Sequence, residues 1–362
     1  MVYSARRLAS FCRAPRDDFT LIPNVTYGLN TILKGYQANY GETSHVILWD
    51  TSYGSLKKMA QRYCKGRVTE IPVSDYFDQW WDDSSDTSSD VFERAFIDTL
   101  EQMKNGQNQH SIENSLLILD HTTSNTALNM PIERLAKLAK EANMLVMVDG
   151  AHGLLAHELT LNPTDLPHVD FYVGNGHKWL SCPRGIGFLY CPHDHLRDSI
   201  LEQPAVISHG IGQGFQSRFL WDGCRDYAAA LSVPAVLDHW EKYVGVDRDM
   251  EDFQQTIYNK LKEATDLLGL SWHGNLDRYL LAPLEFHSPM MALVRLPQSI
   301  QSSPSTSAHA KAVQDYLYDN MIEVPIKCIR GVLYVRISCH VYNEIHEYQR
   351  LADTILKFQK TW

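Results

Sequence analysis

Asp149 and Lys178 are residues of this chain whose types and spacing could do chemistry together. They stand in "LVMVDGAHG" and "DFYVGNGHKWL", each opening on an apolar run with the character of a buried strand. Ligands of open α/β sheets bind beyond the carboxyl ends of the strands, where both stretches leave their polar residues. Taken singly, each residue has an ordinary explanation. A carboxylate after a strand is most often a turn residue or helix cap, and a loop lysine is most often solvated. Together they offer more. A lysine in a partly desolvated pocket has a lowered pKa and can form a Schiff base with an aldehyde. A buried carboxylate persists only beside a cation, and a protonated pyridine nitrogen is one.

Pyridoxal phosphate makes both demands: a lysine for its aldehyde, and an acid that keeps its ring nitrogen protonated as an electron sink. Its phosphate also needs a cradle. "IPNVTYGLNTILKG" (22–35) supplies a strand end followed by Thr26 and Gly28 at the opening of a helix. Backbone N–H groups and a hydroxyl hold an anion in that setting, although an ordinary capped helix has the same pattern.

The elements that must position these residues follow from apolar runs. "HVILW" (45–49), "RVTEIPV" (67–73), "SLLILD" (115–120), "MLVMVD" (144–149), "DFYVGN" (170–175) and "GIGFLYC" (185–191) have the look of buried parallel strands. Helical patterns lie between them at "SLKKMAQRY" (55–63) and "PIERLAKLAKEAN" (131–143), which predicts an α/β domain with a mostly parallel sheet. "DYFDQWWDDSSDTSSD" (75–90) and "LPQSIQSSPSTSAHA" (296–310) read as loops. After about residue 228 a long helical stretch, two short strands (290–297 and 331–338) and a closing helix (343–360) suggest a smaller α+β domain. The expected division is 1–235 and 236–362.

The bulk numbers bound the function. With 362 residues the chain can bury a sizeable core, and 44% apolar with 21% charged residues is a globular composition. The net charge of −10 argues against non-specific nucleic-acid or anionic-membrane binding. No apolar run approaches the roughly 18 residues of a membrane span. The N-terminal stretch lacks a secretory apolar core, and "ARRLASF" reads as the end of an amphipathic helix. Seven cysteines without a CxxC pair fit reduced thiols, no metal site and a cytoplasmic setting.

On these motifs the sequence resembles the class V, fold-type I pyridoxal-phosphate enzymes, in particular the branch of isopenicillin-N epimerases and hercynylcysteine sulfoxide lyases. "NVTYGLNTIL", "DHTTSNTALNMPIERL", "VDGAHG", "GNGHKWL", "RGIGFLY", "RFLWDGCRDYAAALSVPAVLDHW" and "LYVRISCHVYNEIHEYQRLAD" follow in that family's order. The resemblance implies the transferase fold of type I, with a mostly parallel seven-stranded sheet and a smaller C-terminal α+β domain. It implies that Lys178 carries the Schiff base, that Asp149 partners the pyridine nitrogen and that His152 lies near the phenolic oxygen. Thr26, Asn175 and His177 would contact the phosphate, with backbone help around Tyr27. Tyr53 would stack on the ring, Ser124 would lie beside the phenolic oxygen, and Arg336 would clamp the substrate carboxylate. A homodimer with shared active sites and a small amino-acid substrate are implied as well. The sequence departs from the family in three places. An Asn-Gly-rich segment ahead of the phosphate loop is expected to be lacking, Cys224 stands where a threonine is common, and Asn125 stands where proline is more frequent.

The reaction expected is Cα–H abstraction by Lys178, leading to C–S β-elimination on a cysteine-derived amino acid. Epimerisation, transamination and ring formation in secondary metabolism are the alternatives, and a catalytically silent relative is the alternative of another class. A desulfurase would need a nucleophilic cysteine on a mobile loop. Cys328 reads as part of a strand, and Cys182 and Cys191 read as structural thiols.

Overall fold

The computed structural model describes residues 1–81, 91–106, 112–244 and 250–360. Two of the expected strand runs, "SLLILD" and "MLVMVD", lie side by side in register, and the main sheet extends from them in both directions. Its strands are β1 Phe19–Ile22, β2 Val46–Trp49, β3 Val68–Ile71, β4 Leu116–Asp120, β5 Leu145–Gly150, β6 Phe171–Asn175 and β7 Gly187–Tyr190. Their order is β1-β7-β6-β5-β4-β2-β3. The pairs from β3 through β6 are parallel, while β7 runs antiparallel to both β6 and β1. All six expected runs are strands, but the expectation that 185–191 is parallel is corrected. Residues 176–186 join β6 to β7 without a crossover helix, and a parallel pairing needs such a crossover.

Most of the strands are apolar because helices cover them; the edge strand β3 is the exception, with Thr69 half-buried and Glu70 exposed. Helices Val25–Tyr40 and Gly54–Tyr63 bury Leu29, Ile32, Leu33, Leu56 and Met59 in one core. Alternate strand residues meet them there: Val46 and Leu48, Leu116 and Ile118, Met147, then Phe171 and Val173. With a side-chain period of two, the next residues on that same face are Asp120, Asp149 and Asn175. The sheet's carboxyl edge therefore turns three polar side chains toward the start of helix Val25–Tyr40. Gly28 lets that helix close down. A Cβ there would lie 2.8 Å from both Ile22 and Val173 side-chain carbons, well inside contact distance.

The described chain forms two compact units. The first comprises Met1–Val73, Phe92–Thr122 and Met130–Met250, and the second Ser74–Val91, Thr123–Asn129 and Glu251–Trp362. In the second, β8 Met291–Arg295, β9 Ile326–Ile329 and β10 Val332–Ser338 form an antiparallel sheet in the order β8-β10-β9. Leu333, Val335 and Ile337 of β10 are buried while Tyr334 and Arg336 alternate with them on the other face. Arg330 and Gly331 make the β9–β10 turn, both with positive φ (46° and 78°), as a tight two-residue hairpin requires.

Several loop and helix expectations shift. Residues 307–319 are helical, not loop; Thr306 caps that helix and exchanges side-chain bonds with His309, a start that its serine-rich context disguises. Residues 73–81 form 3₁₀ turns, and the rest of the predicted acidic loop, 82–90, lies outside the described residues. The long helical stretch is three helices, Ala228–Leu231, Val233–Val244 and Met250–His273. Of its span, 245–249 lies outside the described residues. The predicted N-terminal helix is Val2–Phe11. No described helix is long and apolar enough to cross a membrane.

Candidate active site

At the carboxyl edge of the first unit's sheet, the polar face ends on Asp120, Asp149 and Asn175, and Lys178 follows in the loop after β6. Lys178 Nζ lies 2.9 Å from His152 Nε2. One of these two atoms holds the shared hydrogen and the other accepts it, so a proton can be passed between them. Asp149 Oδ1 accepts the Ala151 N–H at 3.0 Å. Burial raises the Asp149 pKa, and the Ala151 N–H and the Lys178 charge oppose that rise. A carboxylate so placed is stable as an anion only with a cation in front of it.

The phosphate-cradle residues sit where strand β6 meets helix Val25–Tyr40. Asn175 Oδ1 accepts the Val25 N–H at 3.0 Å, and Asn24 Oδ1 accepts the Tyr27 N–H at 2.9 Å. Two of the helix's four orphan donors are thereby occupied. The Thr26 N–H has no acceptor among the described residues, and Thr26 is exposed. An anion at the helix start would meet that N–H and the adjacent hydroxyl. Asn175 thus ties the helix to the sheet edge through the oxygen that an anion could not use. His177 Nδ1 donates to the Ile186 carbonyl at 2.9 Å, which leaves Nε2 as its outward-facing atom. Burial holds His177 below the usual histidine range. Tyr27 is half-buried, and burial raises its pKa. Tyr53 precedes helix Gly54–Tyr63, is 44% exposed, and its ring is stacked on no other aromatic among the described residues.

The other two predicted residues belong to the second unit, where the structure brings them together. Arg336 Nη1 donates to the Ser124 carbonyl and lies 3.5 Å from Ser124 Oγ. Its buried Nε has no hydrogen-bond partner, and burial lowers the guanidinium pKa. A desolvated, incompletely satisfied guanidinium is a fitting receptor for a carboxylate. Asn125, for which the sequence alone offered no reading, accepts from Lys327 Nζ at 3.2 Å.

Sequence reasoning missed Asp120. It is paired in register with Asp149 across adjacent parallel strands, on the same face, and only 2% exposed. Ser52 Oγ donates to its Oδ2 at 2.9 Å. Burial, then the neighbouring Asp149, push its pKa up to about 8. The signal was available: "SLLILD" and "MLVMVD" are two apolar runs that each end in aspartate.

These residues fit pyridoxal phosphate. Asp149 needs a cation, the Thr26 N–H and hydroxyl suit a phosphate, and Lys178 is the amine for an aldehyde. Bound there, the cofactor supplies an electron-withdrawing ring that acidifies the Cα substituents of an amino acid. The chain's own groups would do the rest: Lys178 would move the Cα proton, with His152 Nε2 2.9 Å from its Nζ, and Asp149 would orient the ring.

The family model described as aminotransferase class-V matches residues 3–205. The chain is 27% identical to an L-cysteine desulfhydrase of Arabidopsis thaliana, over 95% of this chain and 75% of that protein. It is 25% identical to an isopenicillin N epimerase of Amycolatopsis lactamdurans, over 99% of this chain and 85% of that one. Among solved structures, a cystine C–S lyase in complex with its product cysteine persulfide matches with a TM-score of 0.73 at 19% identity, covering 99% and 86%. A cysteine desulfurase from Thermococcus onnurineus matches with a TM-score of 0.67 at 20% identity, covering 98% and 82%. Both share the fold.

Proposed function

The chain belongs to the class V aminotransferase family of pyridoxal-phosphate enzymes, and from that premise we propose that it is a C–S β-lyase acting on cysteine or a cysteine-derived amino acid. In this reading the substrate loses its Cα proton to Lys178, then its sulfur substituent as the leaving group. Water completes the release of pyruvate and ammonia.

The observation that carries the proposal is the likeness to L-cysteine desulfhydrases, beside the buried or fixed state of Cys182, Cys191 and Cys328; Cys224 is the exposed thiol. Four plant proteins with L-cysteine desulfhydrase names, two of them putative and one probable, align over 94–95% of the chain. A desulfurase would instead take sulfur onto a mobile cysteine. Cys328 is fixed in β9, its Sγ directed at the Ser305 carbonyl at 3.3 Å, and burial raises its pKa. Cys182 and Cys191 are buried with pKa values pushed up to about 12. None of the three is a ready nucleophile.

Asp149 partners the pyridine nitrogen, and His152 serves the phenolic oxygen and the proton of Lys178. Thr26, Asn175 and His177, with the Tyr27 region, frame the phosphate. Tyr53 stacks on the ring, Ser124 lies beside the phenolic oxygen, and Arg336 clamps the substrate carboxylate. A homodimer completes the reading. Val206, Ile207, Ile211, Trp221 and Leu231, all at least 39% exposed within one chain segment, are apolar side chains that a second copy would cover. All seven cysteines are free, which supports a cytoplasmic setting.

The test is product analysis of the holoenzyme with L-cysteine, cystine and S-substituted cysteines. Equal release of pyruvate and ammonia is the expected result. Exchange of the Cα hydrogen with the amino acid recovered intact would replace the lyase by an epimerase, the activity in the name of the Amycolatopsis lactamdurans relative.

A further inference from the structure

Two buried carboxylates in register on neighbouring parallel strands form an unusual pair. The strands stand about 4.8 Å apart, and both side chains leave the same face. Asp120 is 2% and Asp149 4% exposed. Two like charges held this close and this dry do not both ionise. We propose that Asp120 is a positioning residue of the cofactor site: it is the protonated member of the pair, and it keeps Asp149 the single anion facing Lys178 and the pyridine nitrogen. This rests on the reading of Asp149 as the nitrogen's partner.

The surroundings decide which of the two holds the proton. Lys178 is the charged side chain that acts on Asp149, whereas on Asp120 it is the last of the influences. The other cation facing Asp120 is Lys57, from helix Gly54–Tyr63. Its Nζ is already bonded to Glu70 at 2.6 Å and to the Asp50 carbonyl at 2.7 Å. Ser52, from the loop after β2, donates one hydrogen bond to Asp120 Oδ2. From the loop after β4, Met130 places its sulfur 3.3 Å from the Asp120 backbone N–H and brings no charge. Asp149 therefore receives the cation and a backbone N–H, and Asp120 receives one hydroxyl. Burial and the Asp149 charge hold Asp120 protonated up to about pH 8.

The consequence is a pH limit built into the sheet. Above it, Asp120 gives its proton to solvent and a second negative charge appears beside Asp149. That charge increases the proton affinity of Lys178, the base that must accept the Cα proton, and of the pyridine nitrogen.

The test is infrared difference spectroscopy of the full-length protein, freed of cofactor and then reloaded, between pH 5 and 9. A protonated-carboxyl C=O band that titrates away near pH 8 is expected in the cofactor-free protein. Asp120→Asn should lose the band. Asp149→Asn, which removes the neighbouring charge, should retain it with a midpoint lower by about one unit or more. Ser52→Ala, which removes the donor to the anion, should move the midpoint up. In the reloaded protein the visible cofactor band should show an inflection that Asp120→Asn abolishes, a response a merely structural residue would not give. Absence of the band above pH 6, or its persistence in Asp120→Asn, would overturn the proposal. So would an Asp149→Asn midpoint that does not move. The infrared readout needs no substrate, so a failed pyruvate assay leaves it intact, and failure to take up cofactor at all would be seen separately in the visible spectrum.

Discussion

Lys178 and Asp149 stand at the rim of a wide, mostly parallel sheet whose strands β4 to β7 are buried almost throughout, whereas Arg336 rises from the central strand of a three-stranded antiparallel sheet in the second unit. The first cluster is held by main-chain geometry: strand register fixes Asp149, and the β6 end fixes Asn175 and the start of the Lys178 loop. The second is held by side chains, with Arg336 leaning on Ser124 and Lys327 on Asn125. A cofactor that must sit the same way in every turnover gains from the rigid rim. A substrate carboxylate can be received by a guanidinium that keeps a free Nε. The difference separates the two tasks, and substitutions should separate them too.

The largest effect is expected from Lys178→Ala. Removing the base should lower kcat by about 10³-fold or more, within the range for lost general-base catalysis, and should abolish the native visible cofactor band. Asp149→Asn is expected next. Taking one partner from a buried charge pair costs about 3–5 kcal/mol, read as roughly 10²–10⁴-fold weaker cofactor binding by fluorescence titration. Arg336→Lys should act on substrate alone: loss of the planar donor, about 1.5–3 kcal/mol for a charge-assisted bond, raises KM with cofactor affinity preserved. A matching loss of cofactor affinity in Arg336→Lys would break the separation.

A smaller effect is expected on stability. The Asp120 pKa is raised in the folded state from 3.8 to about 8. A carboxyl raised this way contributes its full stability below the unfolded value and loses it as pH rises through the folded one. The slope approaches at most about 1.4 kcal/mol per pH unit between those limits. The cofactor-free protein should therefore lose melting temperature from pH 5 to 8 more steeply than Asp120→Asn, by calorimetry. Parallel curves would contradict it. Cys328→Ser should have the smallest effect, with pyruvate release unchanged, because its thiol is fixed in β9.

Much of the first cluster was legible because its chemistry coincides with a pattern: apolar runs ended by a polar residue. Asp149 ends such a run, and Lys178 follows three residues after another that ends in Asn175. Asp120 ends its run in the same way, yet its meaning depends on β4 lying beside β5 in register, a fact of pairing that one chain's letters do not contain. The direction of β7 was hidden similarly, since an apolar run carries no sign of its orientation. In the second unit, Ser124 and Arg336 are 212 residues apart, and a contact across that separation leaves no local trace. Helix Ser307–Asp319 was masked by a serine-rich entry whose cap is a Thr–His exchange rather than the usual Glu or Gln.

The central claim is that Lys178 holds the cofactor at the rim of the sheet. Borohydride reduction of the holoenzyme followed by peptide mass mapping tests it most directly. A phosphopyridoxyl mass on the peptide containing Lys178, absent after Lys178→Ala, is the predicted result. The same mass on a different lysine of the wild-type chain, or on none, would contradict it.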